Sequence, residues 1–142
     1  MIPMRTWKKI VTGILLLALA GAGYGWYSYQ KAPPDIREQK AGIEITAVDL
    51  LKAFQQDEMA SNAKYVDKVL IVAGTVTGIQ TDSSGQATVY MQTNDALAAV
   101  TCSFYQDDEG VKKIKAGSIA HIKGICTGIL TDVVLNKCSL VE

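Results

Sequence analysis

Read from residue 46 to the C-terminus, the chain runs helix, three strands, short helix, two strands. This order predicts a mainly β fold: a five-stranded Greek-key barrel of the OB type, with an amphipathic helix before it and a short helix between strands three and four. Two further observations complete the outline. Residues 10–30 carry no formal charge, and 49% of the 142 residues are apolar, which sizes the chain for one packed domain plus an appendage. The expected division is a basic N-terminus at 1–9, an apolar helix at 10–30, a linker at 31–42 and the barrel domain at 43–142.

The apolar stretch comes first. Its 21 residues, rising about 1.5 Å each as a helix, cover roughly 30 Å, one hydrocarbon thickness. Arg5, Lys8 and Lys9 precede it and Trp7 sits at its near end, while Tyr24, Trp26, Tyr27 and Tyr29 crowd its far end as an aromatic belt does. The positive-inside rule then puts the N-terminus in the cytoplasm and everything after Gln30 outside, as a single-pass signal-anchor in the cytoplasmic membrane. The alternative is a cleaved signal peptide, since Ala18-Leu19-Ala20 is an A-x-A site that would release a secreted product. No cysteine lies near the end of the run, so an acylated lipoprotein anchor is not expected.

After the membrane, residues 31–42 (KAPPDIREQKAG) are polar and hold two prolines, the composition of an extended spacer. From Thr46 to about Asn62, Ala47, Leu50, Leu51 and Phe54 recur at helical spacing, with Thr46 placed as the cap and Asp49 near the positive end. Val69 to Ile79 is β-branched and broken by Gly74 and Gly78, which predicts a long strand bent at a barrel corner. Thr81 to Gly85 is hairpin-loop chemistry leading into a second strand, Ala87 to Thr93. Ala99 to Tyr105 alternates as a third strand, and Asp107 to Ile114 reads as a short helix with acids first and lysines last. Ser118 to Ile129 and Val133 to Val141 are the last two strands, joined through a turn at Leu130-Thr131-Asp132.

Several short runs in this order carry a family likeness. They are Ala63-Lys64-Tyr65, Lys68-Val69-Leu70, Val72-Ala73-Gly74-Thr75-Val76, Val100-Thr101-Cys102-Ser103-Phe104, Lys123-Gly124-Ile125-Cys126-Thr127-Gly128 and Asp132 to Leu140. Together they resemble the tRNA_anti-like family of bacterial OB-fold proteins, over about Ile45 to Val141. The resemblance implies the fold. It supplies no catalytic or binding residue to carry over, and fold likeness does not transfer a ligand.

Charge limits the function. The first forty residues are +4, and residues 41–142 hold eight lysines against twelve acidic residues, −4. A nucleic-acid binder normally shows a basic footprint on its folded part, so this balance disfavours nucleic acid. A stacking platform is also thin: Tyr90 and Tyr105 are the plausible outward strand aromatics, and the domain has no tryptophan.

Cys102, Cys126 and Cys138 are the reactive set. In an oxidising compartment Cys126 and Cys138, joined through a short turn, are the first disulfide candidates and Cys102 with Cys138 the second; the competing reading is three buried, reduced thiols. No close Cys or His pair has zinc spacing, so neither metal nor cofactor is expected. His121 lacks an identifiable acid or nucleophile and reads as a strand residue. Asp82-Ser83-Ser84-Gly85 is explained by a turn, and Asp107, Asp108 and Glu109 by a helix start. The expectation is a non-enzymatic, membrane-tethered binding or interaction module for a protein or small ligand. Single-stranded oligonucleotide binding is the alternative, and a thiol enzyme a weaker third class.

Overall fold

The computed structural model describes residues 3–30 and 35–141, so Lys31 to Pro34 of the expected linker lie outside the described residues. The chain divides into two units, Met1–Pro34 and Asp35–Glu142.

The first unit is one helix, α1 (Met4–Gln30), with none of its residues buried. It begins six residues before the uncharged stretch, because Arg5, Lys8 and Lys9 are good helix formers and Pro3 precedes the first turn. Its 27 residues, with an 18-residue stretch of mean hydropathy 1.6, make it long and apolar enough to cross a membrane, a property that a signal sequence shares.

In the second unit the element order is β1 (Ile43–Thr46), α2 (Ala47–Gln56), α3 (Glu58–Tyr65), β2 (Val69–Thr81), β3 (Ala87–Met91), β4 (Val100–Phe104), a 3₁₀ helix (Glu109–Lys113), β5 (Ile119–Ile129) and β6 (Val133–Leu140). The sheet runs β1-β2-β3-β4-β6-β5, and a further pairing of β2 with β5 closes β2 to β6 into a five-stranded barrel. The Greek-key signature is the parallel pairing of β4 with β6.

The helical stretch divides where the sequence reading has one helix. Thr46 caps α2 as expected, its Oγ1 accepting from the Asp49 amide at 3.1 Å. Asp57 then stops α2 in extended conformation, and its carboxylate accepts from the Ala60 amide at 3.0 Å to start α3. Ala47, Leu50, Leu51 and Phe54 are all buried in the barrel core. β1 is an addition: four residues pair parallel with β2 from Ile43↔Leu70 to Thr46↔Ala73.

Inward-facing residues alternate along each strand, such as Ala87, Val89 and Met91 on β3 and Ala120, Ile122, Gly124 and Cys126 on β5. β6 breaks the rule. Strict alternation after Val133 and Leu135 would aim Lys137 into the core. Lys137 instead takes the left-handed conformation, φ 53°, in a bulge that returns Cys138 to the interior. Gly124 on β5 makes room for it. A Cβ there would stand 2.6 Å from the Cys138 Sγ and 3.3 Å from the Asn136 carbonyl oxygen.

The described part of the expected spacer is not extended. Asp35 to Gln39 form a turn, with the Glu38 amide donating to the Asp35 carbonyl at 3.2 Å. Ile36 is only 1% exposed, and its amide donates to the Tyr105 hydroxyl at 3.4 Å. Arg37 lies over the Tyr105 ring, 4.6 Å from its centroid, and ion-pairs with Asp35 and Asp107. Lys123 Nζ donates to the Arg37 carbonyl at 3.4 Å. One large apolar residue in a polar run is enough to dock the turn, since full burial of an Ile side chain contributes about 1.5–3 kcal/mol.

Arg37, chiefly through its side-chain hydrogen bond, holds the Asp35 carboxyl below its ordinary value of 3.8. Burial pushes the Tyr105 phenol up. Because Asp35 is depressed in the fold, its contribution to docking is complete above its ordinary pKa and is lost as pH falls through the lowered one.

Two measurements check these contacts. Gly124→Ala is expected to lower stability by about 1–3 kcal/mol through overpacking against Cys138, and Thr46→Ala by about 1 kcal/mol, both read from urea midpoints. In Arg37→Ala the Asp35 carboxyl, followed by carbon-13 NMR, is expected to titrate closer to 3.8 than in the native chain. An unchanged titration there would show that Arg37 does not hold it.

Candidate ligand-binding face

The outer side of the barrel across β2, β3 and β4 is a continuous row-and-column surface set by strand register. Gln80 of β2 pairs with Thr88 of β3, which pairs with Ser103 of β4. In the next row Gly78 pairs with Tyr90, and Tyr90 with Thr101. Thr88, Tyr90 and Ser103 are half-buried, as expected for outward residues between strand neighbours, while Gln80 is exposed. The Tyr90 hydroxyl donates to Gln80 Oε1 at 3.0 Å, which fixes the ring's polar end along the sheet. A Cβ at Gly78 would meet nothing within 4 Å, so the surface beside Tyr90 is open. None of Gln80, Thr88, Tyr90, Thr101 and Ser103 carries a formal charge.

Tyr105 belongs to a different part of the surface. Tyr90 stands opposite Thr101 and Tyr105 follows four residues later, so the two rings are separated by roughly 13 Å of strand. They do not form one platform. Tyr105 is already covered by Arg37 and borders an open cleft of about 620 Å³ shared with Gln86, Gln106, Asp107 and Lys137. The hairpin loop closes on the same end: Gln106 Nε2 donates to Ser84 Oγ at 3.2 Å, and Gln86 Nε2 to the Phe104 carbonyl at 3.4 Å.

That loop is built as its composition predicts. The Asp82 carboxylate accepts from the Ser84 amide, the Ser84 hydroxyl and the Gln86 amide at 2.6–3.0 Å, bonds that also lower its pKa, led by the Ser84 hydroxyl. Gly85 supplies the positive φ, 88°. Asp108 caps the 3₁₀ helix by accepting from the Gly110 amide at 2.8 Å. His121 is exposed, with Nδ1 3.9 Å from a Glu44 carboxylate oxygen.

All three cysteines are free thiols inside the core, each 0% exposed. Cys126 is opposite Leu135 across β5 and β6, and Cys102 is opposite the same Leu135 across β4 and β6. Cys138, carried inward by the bulge, faces the same core as Cys102. Burial pushes the Cys126 and Cys138 thiols up. The residues that sequence reasoning missed are Ile36 and Arg37, whose only signal was an isolated isoleucine in a polar run, and Gln80, which the hairpin register brings beside Tyr90.

A crystal structure of a candidate nucleic acid-binding lipoprotein from Klebsiella pneumoniae matches at TM-score 0.58 and 21% identity, covering 78% of this chain and 100% of its own. An asparaginyl-tRNA synthetase from Entamoeba histolytica, solved with asparaginyl-adenylate, covers 54% of this chain and 21% of its own at 12% identity; its TM-score of 0.40 carries no argument. No curated protein matches. The tRNA_anti-like family model matches residues 4–140, taking in α1 as well as the barrel and so reaching further than the resemblance read from residue 45. With nearly its whole length matched, and the closed barrel that such a match implies, the chain belongs to the tRNA_anti-like family.

Proposed function

We propose that this chain is a membrane-tethered, extracytoplasmic and non-enzymatic binding module, whose ligand surface is the uncharged outer face of β2, β3 and β4 with Tyr90 at its centre. The observation that carries the reading is that face. Three paired strands present an amide, hydroxyls and one aromatic ring beside an open glycine, with no formal charge. Such a surface binds by stacking and directional hydrogen bonds to a planar or amide-bearing partner, a protein segment or small ligand, and not by attraction to phosphates.

The tether part rests on α1, its basic start and its aromatic far end. The Klebsiella neighbour is described as a lipoprotein, which is in keeping with a membrane-associated role. The non-enzymatic part rests on the thiols. A nucleophilic cysteine is exposed with a depressed pKa, whereas these three are fully buried and burial raises two of them.

The second reading is binding of single-stranded oligonucleotides, favoured by the nucleic-acid-binding description of the same neighbour. Tyr90 would stack a base on this reading and a planar or amide group on the first. The difference lies in the phosphates, for which residues 41–142 offer a net charge of −4.

Titrating labelled single-stranded DNA and RNA with the full chain in detergent micelles, followed by anisotropy at low and physiological salt, separates the two. The module reading expects weak binding with little salt dependence. Tight binding that falls steeply with salt establishes the oligonucleotide reading in its place. Whatever strand binds, Tyr90→Ala is expected to weaken it by about 5- to 150-fold, the range of one lost stacking contact; no change would remove the β3–β4 face from the proposal. Fractionation of cells tests the tether. The full-length chain is expected in membranes, with its C-terminal domain open to added protease from outside, whereas a soluble product beginning near Gly21 would show cleavage.

A further inference from the structure

Cys102 and Cys138 are neighbours only because β6 is irregular. The parallel pairing puts Cys102 beside Leu135 and Phe104 beside Cys138, with the shift in register between them. Without the bulge Cys138 would face outward, and the two sulfurs would lie on opposite sides of the sheet. With it, both side chains enter the same core, where the Cys102 thiol adds to the upward push on the Cys138 thiol. Gly124 leaves the space on the far side, where any Cβ would press on the Cys138 sulfur.

Cys126 does not share this position. It pairs with Leu135, and along β6 that residue is separated from Cys138 by Asn136 and Lys137. Across β5 and β6 the residue nearest Cys138 is Gly124, which has no side chain to offer. The turn that joins β5 to β6 therefore makes Cys126 and Cys138 close in sequence but not partners in the barrel.

We propose that Cys102 and Cys138 join as a structural disulfide when the chain folds in an oxidising compartment, while Cys126 stays a free buried thiol. The compartment rests on the outward placement of the domain proposed above; the choice of partners does not. As the Sγ–Sγ bond forms, each thiol releases its proton and the pair gives up two electrons. An oxidised disulfide, of a thiol oxidase or of glutathione, accepts both electrons and both protons and leaves as two thiols, through a mixed disulfide. Both cysteines are 0% exposed in the finished barrel, so the exchange takes place on the chain before the barrel closes. The bond ties β4 to β6 across the parallel pairing that completes the Greek key, and so constrains the unfolded chain between them.

The test is a peptide map of the full chain. Denatured, reduced protein is refolded into detergent with a mixture of reduced and oxidised glutathione, alkylated and digested without reductant. A linked pair of peptides bearing Cys102 and Cys138, with Cys126 alkylated, is the expected result. A Cys126–Cys138 link, or three alkylated thiols, overturns the proposal. The same map on protein taken from native membranes separates the two readings. Three free thiols there, beside a linked pair after refolding, would leave the pairing standing and overturn the outward placement. Stability gives an independent check: the urea midpoint of the refolded chain is expected to drop on adding reductant in the native sequence and in Cys126→Ala. In Cys102→Ala and Cys138→Ala reductant should make no difference. Should either of those variants not fold, loss of the reductant effect in Cys126→Ala would still overturn the assignment.

Discussion

Closure of the barrel depends on β2 pairing with two strands in succession. Its first half, Val69 to Thr75, is laddered antiparallel to β5, and its second half, from Val76 on, to β3. A strand that hands over from one side of a closed barrel to the other has to turn along its length, and the bulge at Val76/Gly78 supplies that turn. Once β2 is bent, the rest of the topology follows. β3 and β4 continue the sheet on one side, β5 borders it on the other, and β6 must lie parallel to β4 to join them. Closure removes the unpaired edges that a small open sheet would otherwise expose. It also encloses one core, which α2 enters with Ala47, Leu50, Leu51 and Phe54.

The parts of this architecture that follow from local rules are legible in the sequence. Alternation gives β3, β4 and β5 to within a residue or two, because a strand with one buried face has a strict period of two. Thr46 is a recognisable cap because its hydroxyl must face an amide three residues on. Gly78 signals the bend in β2. The rest is decided by contacts between distant residues. β1 is four residues long and stable only as an addition to β2, so its own periodicity says little. Asp57 is as acceptable to the eye on a helix surface as in a cap, and only the two helix directions distinguish them. Ile36 gains its place from Tyr105, some seventy residues away. Lys137 is the clearest case: an alternating reading of β6 puts it inside, and the cost of burying an unpaired ammonium is what the left-handed bulge avoids.

The same bulge governs the candidate sites. By shifting register it sends Lys137 to the cleft at the Tyr105 end and Cys138 to the core beside Cys102. A single backbone irregularity therefore separates a surface function from an internal one. Tyr105, which composition pairs with Tyr90 as a second stacking residue, is instead engaged by Arg37 and the Ile36 amide. The ring serves the docking of the Asp35–Gln39 turn, and the open aromatic surface shrinks to the neighbourhood of Tyr90.

That reduction bears on which ligands the barrel suits. A face of two stacking rings with basic neighbours would track a nucleic-acid strand over several nucleotides, with affinity set by phosphates. One ring among hydroxyls and an amide has a shorter reach and depends on direct hydrogen bonds, each of which contributes about 0.5–1.5 kcal/mol net. Affinity on such a surface comes from shape and from what else the partner touches, and the hairpin loop tied back through Ser84, Gln86 and Gln106 stands at its border to supply it. Family membership therefore identifies the fold here, and the chemistry of the face has to identify the partner.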